Sequence, residues 1–455
     1  MITPVCLKII MPNRPQNNRC QNNPYLSVKL SNLECDCFET CFLGSQVSTA
    51  NKKELFIKEA MTPVNSKWQN AVKRYSLLEN KKDETRTEFE RDRTRIMYSE
   101  GFDRMRYKTQ VFPICDNDMV STRSTHVLQV ADIARNISRS LGLNEELAEA
   151  IAMGHDLGHP PFGHEGEAAL AKITKNNNLP LFWHEKNSLR LIDKILTLTN
   201  SKGRQNNLGL TYAVRDGIIN HCGELDENAI KPRTNYINLE VLTKAGDVQP
   251  YTWEGVVVKV SDKIAYLGRD IEDAFKIGIL KKNNIKELNK IVKKYIPNFD
   301  GEVSNTALIN IFVTDLIANS SPENGIGFSK PVFELMNAIK TYNYQNIYCA
   351  EASKALSPAD CEMIISGIFK GYEKRYNGYD TIKSLEKENN KYVQNFKEWL
   401  VKYTDNPYRP PEYENTILYD LKNPQDYKQA IVDYISAMTD KYAIKTFEAV
   451  CFQER

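Results

Sequence analysis

The sequence predicts an all-α protein, and three observations carry that expectation. From about Trp68 to the end, apolar and polar residues alternate at three- and four-residue intervals, the period of an amphipathic helix. The helical runs open on capping residues and close at Gly or Pro, as helix ends do. No internal repeat or low-complexity tract interrupts them, so neither a solenoid nor a fibrous architecture fits.

With 455 residues, 41% of them hydrophobic and 26% charged, the chain can bury a substantial core. Sixty Lys and Arg oppose 58 Asp and Glu for a net charge of +2. That balance gives no global field toward nucleic acid or a membrane, so any anion site must be local. No apolar run reaches the ~20 residues of a membrane span, and the start lacks the basic-then-apolar order of a secretory signal. A cytoplasmic protein without a membrane partner is expected. Five of the ten cysteines fall in the first 41 residues and the others are scattered singly, which suits free thiols. Cys35, Cys37 and Cys41 have no histidine or second cysteine pair nearby and make a poor zinc site.

Residues 1–60 carry Asn- and Pro-containing stretches and no sustained apolar period, so they are expected to form a peripheral or disordered extension. In the run from Thr125 to Leu143, Val127, Val130, Ile133, Ala134 and Ile137 recur at helical spacing, and His126 sits in the first turn. Asn144 is the expected N-cap of a second helix, Glu145 to His155, stopped by Gly158 and Pro160-Pro161,. Val256 to Phe275 is apolar enough to be buried, yet Lys259, Asp262, Tyr266, Arg269 or Asp270, and Asp273 mark a polar stripe along it,. For Lys259 and Asp273 a solvent-facing side is the simple reading. Further helices are expected over Thr306–Ala318, Pro331–Ile347, Pro358–Tyr372, Ile382–Tyr403 and Gln425–Val450.

Only six histidines occur, at 126, 155, 159, 164, 184 and 221, and four of them lie within 39 residues. His155-Asp156 offers an imidazole and a carboxylate from one helix end, and His126 a second imidazole. A carboxylate from a later helix would complete a mixed N and O set for a divalent cation. A lone His-Asp pair is weak evidence, since such residues also serve as helix caps. Here it opens the run His155-Asp-Leu-Gly-His-Pro-Pro-Phe-Gly-His-Glu-Gly-Glu167, where three histidines on one tight loop are hard to explain as packing. His164 and Glu167 stand three apart at a helix start, hence on one face and within hydrogen-bond reach. Arg86, Arg91, Arg93, Arg95, Arg104, Arg106, Lys108 and Arg123 crowd a span that also holds Glu88, Glu90, Asp92 and Asp103. Most of them are expected to form surface ion pairs.

This run resembles the HD superfamily, and specifically its bacterial dGTPase-like deoxynucleoside triphosphate triphosphohydrolases. Phe89-Glu-Arg-Asp-Arg-Thr-Arg-Ile96, Lys108-Thr-Gln-Val-Phe-Pro113, Arg123-Ser-Thr-His126, Asp262-Lys-Ile-Ala-Tyr266 with Asp270-Ile-Glu-Asp273, and Asp433 to Ala443 are similar to that family's successive signatures. The resemblance covers roughly residues 65–450. Asp103, Glu185 and Lys441 depart from it, standing where arginine, asparagine and arginine are usual.

The resemblance implies an HD-type metal-dependent phosphohydrolase core over 61–300 and a helical C-terminal region, 301–455, packed on it. It implies a metal on His126, His155, Asp156 and Asp262, with Mn, Mg or Co, or else Fe or Zn. It makes His164 and Glu167 the catalytic pair and Gln110 and Tyr266 nucleotide contacts, with Arg123 and His159 further substrate-binding candidates. A triphosphate needs guanidinium or ammonium partners, and Arg123 is favoured by its closeness to His126. The implied reaction releases deoxynucleoside and inorganic triphosphate. Cleavage between Pα and O5′ leaves a sugar alkoxide that must be protonated, a task that fits His164 held by Glu167. The family also implies a homo-oligomer, a hexamer or tetramer, with a nucleotide or single-stranded DNA as possible effector. The alternatives are another HD phosphohydrolase or phosphodiesterase chemistry, or a nucleotide-sensing module without turnover.

Overall fold

The computed structural model describes residues 55–76, 85–114, 117–222, 227–350 and 356–452. Among them lie seventeen α-helices and one short antiparallel hairpin, β1 (Thr197–Thr199) with β2 (Gln205–Asn207). The all-α expectation holds. The cluster Cys35, Cys37 and Cys41 lies outside the described residues; Cys349, Cys361 and Cys451 are free thiols. No helix among the described residues is long and apolar enough to cross a membrane.

The first helices are α1 (Trp68–Ala71), α2 (Glu88–Met97) and α3 (Glu100–Arg104). Thr87 and Glu90 form a reciprocal capping box at the start of α2, which satisfies two otherwise orphaned donors. Then come the two helices that carry the motif, α4 (Arg123–Leu141) and α5 (Glu145–Gly154). Thr122 caps α4, and Gly142 ends it in the left-handed conformation with φ 81°, a cap that costs glycine little. The Asn144 side chain accepts from the N–H groups of Glu146 and Leu147, as the sequence predicts.

After α6 (Gly163–Asn176), α7 (His184–Arg190) and α8 (Tyr212–Ile219) comes the longest helix, α9 (Trp253–Lys276). Val130, Ala134 and Ile137 of α4, Leu147 and Ile151 of α5, and Val256, Val257 and Ile264 of α9 are all fully buried. Each Val, Leu or Ile side chain among them contributes roughly 1.5–3 kcal/mol through burial. One expectation fails on α9, because Lys259 and Asp273 are buried and not solvent-facing. Lys259 Nζ donates to Gln249 Oε1 at 3.0 Å. Asp273 accepts from the Ser121 N–H at 2.9 Å and from Lys276 Nζ at 2.7 Å. Partners arriving from loops make those burials tolerable.

The C-terminal region comprises α10 (Lys282–Tyr295), α11 (Asn305–Asn319), α12 (Lys330–Asn343), α13 (Pro358–Glu373), α14 (Thr381–Glu386), α15 (Lys391–Val401), α16 (Pro424–Ser436) and α17 (Asp440–Phe452). Two of the long helices expected there are each broken in two. Between α14 and α15, Asn390 turns its side chain back to cap Tyr392 and Val393, so a new helix starts. Between α16 and α17, the Ser436 carbonyl accepts from Lys108 Nζ at 2.9 Å, while the Asp440 carboxylate accepts from the backbone N–H groups of Thr109 and Phe162 at 3.0 and 3.1 Å. The break thus gives up helical hydrogen bonds to grip the segment that carries the motif. Arg190 on α7 pairs in fork geometry with Asp433 on α16, its closest contact at 2.6 Å.

The expected boundary at residue 60 is corrected for residues 55–60, which pack on α9; residues 1–54 lie outside the described residues. Phe56 is fully buried, edge-on to Trp253 with ring centroids 5.1 Å apart. Trp253 Nε1 also donates to Glu59 at 3.1 Å. Phe56→Ala is therefore expected to destabilise the fold by roughly 3–5 kcal/mol, the cost of truncating a buried phenylalanine. Denaturant unfolding measures it, and an unchanged midpoint would show that the segment contributes nothing.

Candidate metal centre

The loop from His155 to Phe162 is held from three sides. Gly158 N–H donates to Ser188 Oγ at 2.8 Å, Ser188 Oγ donates to the His155 carbonyl at 2.8 Å, and Asn187 Nδ2 donates to the Gly158 carbonyl at 2.7 Å. A Cβ on Gly158 would sit 2.1 Å from the Ser188 nitrogen, so only glycine allows this approach. From below, Lys108 Nζ donates to the His159 carbonyl at 2.6 Å. Burial pushes the Lys108 ammonium down to about 7. Phe162, held by Asp440, sits at φ 66°. That region is unfavourable for a bulky side chain, and such strain persists only where surrounding contacts enforce it.

His126 of α4, His155 and Asp156 after α5, and Asp262 of α9 converge beside this loop. His126 Nε2 faces Asp262 Oδ1 at 2.9 Å. His155 Nδ1 donates to the Ala152 carbonyl at 2.7 Å, which leaves Nε2 as a lone-pair donor. That nitrogen is buried without a hydrogen-bond partner, 3.7 Å from both Asp156 Oδ1 and Asp262 Oδ1. An unsatisfied buried nitrogen is costly. A separation of 3.7 Å is too long for a hydrogen bond, yet it suits donor atoms sharing one cation through bonds of about 2.0–2.2 Å. Two imidazoles and two carboxylates match a divalent transition metal or magnesium, so the residues present fit such an ion.

The electrostatics favour a charged cluster. Burial opposes ionisation of Asp262, but the bond to His126 outweighs it and brings the carboxyl down to about 2. Burial likewise opposes ionisation of Asp156, yet His159 and Arg123 hold it well below the usual carboxylate range. Burial brings His155 down to about 4, so its imidazole stays neutral. Arg123, 1% exposed, donates to Asp156 Oδ2 at 2.7 Å.

His164 stands in the first turn of α6, its side chain 66% exposed, with Nδ1 at 3.3 Å from Glu167 Oε2. Glu167 is shared. Its carboxylate also takes the His184 backbone N–H at 2.8 Å and His184 Nδ1 at 3.1 Å. Against the opposing effect of burial, the carboxylates of Glu185 and Glu167 raise His184 to about 10. His159 stacks on His184 with centroids 3.8 Å apart, and its Nε2 lies 3.2 Å from Asp156 Oδ1. His221, just after α8, completes the group: ring contacts join all six histidines of the chain, His126 to His155, His155 to His221, His221 to His184, and His184 to His159 and His164. The sequence motif points to neither His184 nor His221. The one signal for them is the scarcity of histidine together with this shared destination.

A cavity of about 690 Å³ opens over the cluster, a size that holds a nucleotide-sized ligand. Gln110, Arg123, His159, His164 and Tyr266 all line it, so every sequence-derived substrate candidate faces the same space. Among the basic residues clustered before His126, Arg123 is the one that lines it. Arg91, Arg93, Arg104 and Arg106 pair instead with Glu88, Glu149, Glu100 and Asp103. The opposite wall comes from α12 and the π-helical turn Tyr344–Tyr348 after it, and includes Asn337, Lys340 and Tyr348. Tyr348 Oη donates to Asp270 Oδ2 at 2.5 Å, and burial raises Asp270 to about 7.

A helical bundle that brings His126, His155-Asp156 and Asp262 together defines the class: the HD domain model matches residues 123–267, and a phosphohydrolase-associated domain matches 374–449. The chain is an HD-family phosphohydrolase. It is 33% identical over 373 residues to a deoxyguanosinetriphosphate triphosphohydrolase-like protein of Caldanaerobacter subterraneus subsp. tengcongensis, covering 82% of this chain and 87% of that one. It is 32% identical to a protein of that description from Desulfatibacillum aliphaticivorans (81% and 88% covered) and 30% identical to one from Clostridium tetani (82% and 88%). The chain belongs to the deoxyguanosinetriphosphate triphosphohydrolase-like family.

Proposed function

We propose that the protein hydrolyses deoxynucleoside triphosphates to deoxynucleoside and inorganic triphosphate, with a divalent cation held by His126, His155, Asp156 and Asp262. The observation that carries this reading is the orphaned His155 Nε2 between the carboxylates of Asp156 and Asp262, which themselves line a nucleotide-sized cavity together with His164. When bound, the cation polarises a phosphoryl oxygen and lowers the pKa of a coordinated water.

The chain's own residues supply the rest. Arg123 orients Asp156 and sets a guanidinium in the cavity wall against the negative triphosphate. His159 stands beside Asp156 as a phosphate contact, and Gln110 and Tyr266 contact the nucleoside. Gln110 Oε1 is buried without a partner, as expected of an acceptor that awaits a ligand donor. His164, exposed to the cavity and held through Nδ1 by Glu167, donates its proton to O5′ of the departing deoxynucleoside.

The test is turnover of the four dNTPs and GTP with Mn or Mg, with products separated by ion exchange. Intact triphosphate and free deoxynucleoside are expected. Orthophosphate as the primary product, or no turnover of any dNTP with metal present, would overturn the reading.

A further inference from the structure

One carboxylate from near the end of the chain reaches two segments that carry substrate contacts. Asp440 opens α17, where an acidic side chain ordinarily serves the N-terminus of its own helix. It is 4% exposed, and its hydrogen bonds run elsewhere: Oδ2 accepts from the Thr109 N–H at 3.0 Å and Oδ1 from the Phe162 N–H at 3.1 Å. Thr109 precedes Gln110, and Phe162 stands two residues before His164. Gln110 and His164 both line the cavity.

Neither of these two residues has much else to place it. The His164 side chain is 66% exposed, and its one hydrogen bond, to Glu167, is 3.3 Å long. Where the ring stands is therefore set by the backbone that starts α6, which runs through Phe162 at φ 66° and Gly163 at φ 58°. Two consecutive left-handed residues, the first a buried phenylalanine, keep that shape only under outside contacts, and the bond to Asp440 is one. The Gln110 amide oxygen is buried without a partner, and its backbone N–H and carbonyl meet Ser121 and Arg123 only at 3.4 Å. The Thr109 bond thus fixes this stretch more tightly than Gln110's own contacts do. The break before α17 anchors both segments a second time, because Lys108 Nζ joins the Ser436 carbonyl to that of His159 at 2.9 and 2.6 Å.

We propose that Asp440 is a positioning residue for the hydrolysis: it holds Gln110, the nucleoside contact, in register with His164, the proton donor to O5′. The proposal rests on the reaction of the previous subsection. The oxygen that leaves belongs to the nucleoside that Gln110 contacts, so one carboxylate sets the acid and its acceptor against each other. Misplacing such a group by about 1 Å costs roughly 10²-fold in rate.

The experiment is steady-state kinetics on full-length, metal-loaded Asp440→Ala, His164→Ala and the double variant, with the dNTP that the wild type turns over fastest. Asp440→Ala is expected to lower kcat by roughly 10²-fold and to raise KM, with metal content unchanged. In the His164→Ala background the kcat loss should nearly vanish, because the acid that Asp440 positions is gone, while the KM rise, which runs through Gln110, should remain. A merely structural role, which lowers the folded fraction, would multiply with His164→Ala and leave KM alone. Asp440→Asn keeps the side chain's size and one acceptor, so it decides the matter, with a smaller loss of the same pattern, should Asp440→Ala fail to fold by circular dichroism. Normal kcat and KM in the folded variants, or kcat losses that multiply, would overturn the proposal. A wild-type kcat in His164→Ala sinks the proton-donor reading itself, whereas a slow His164→Ala with multiplying losses sinks only the role of Asp440.

Discussion

Asp262→Ala is expected to empty the first cation site and to lower turnover by roughly 10³-fold or more, since a catalytic metal supplies several kcal/mol of transition-state stabilisation and each 1.36 kcal/mol is a factor of ten. Asp262 is the ligand candidate delivered by α9, far along the chain from the motif that carries His155 and Asp156, and His126 Nε2 already faces it at 2.9 Å. Removing the carboxylate leaves His126 with no counter-charge there, so part of any loss could come from destabilisation. Asp262→Asn keeps the shape and removes the charge, and it should fold while binding the ion far more weakly. Elemental analysis together with turnover decides this. Full occupancy and normal rate in both variants would remove Asp262 from the set.

The legibility of this fold follows the range of the interactions. α4 and α5 could be read because their apolar period, the Asn144 cap and the Gly142 stop are all local. The motif at 155–167 could be read because its crowding of His, Gly and Pro has no packing explanation. What escaped depends on partners distant in sequence. Lys259 and Asp273 look like solvent-facing charges on a helical wheel, and only Gln249 and Ser121, arriving from loops, make their burial possible. The break between α16 and α17 escaped because its reward is non-local, a grip on Lys108, Thr109 and Phe162. His184 lies 17 residues beyond Glu167, and nothing nearby in sequence announces the bond between them. Phe56 belongs to a single short apolar run, Leu55-Phe56-Ile57, between charged residues, too short to show a period, yet Trp253 gives it a partner.

His164→Ala should keep the cation, since none of the four proposed ligands changes, while kcat falls by roughly 10²–10⁴-fold, the range for losing a positioned proton donor. KM should move much less, because the side chain is 66% exposed and its one hydrogen bond runs to Glu167 and not to the cation cluster. Glu167 has a wider part to play. It accepts from His184 through both backbone and ring as well as facing His164, so Glu167→Ala should cost at least as much as His164→Ala. It should also disturb the stacked His159–His184 pair. Residues that act as one unit are not additive, so the double variant should be little slower than Glu167→Ala alone. Steady-state kinetics on the two single variants and the double, with metal content measured on each, settles the assignment. Loss of the cation in His164→Ala, or two effects that simply multiply, would take the proton-donor role from His164 and make His159 the next residue to test.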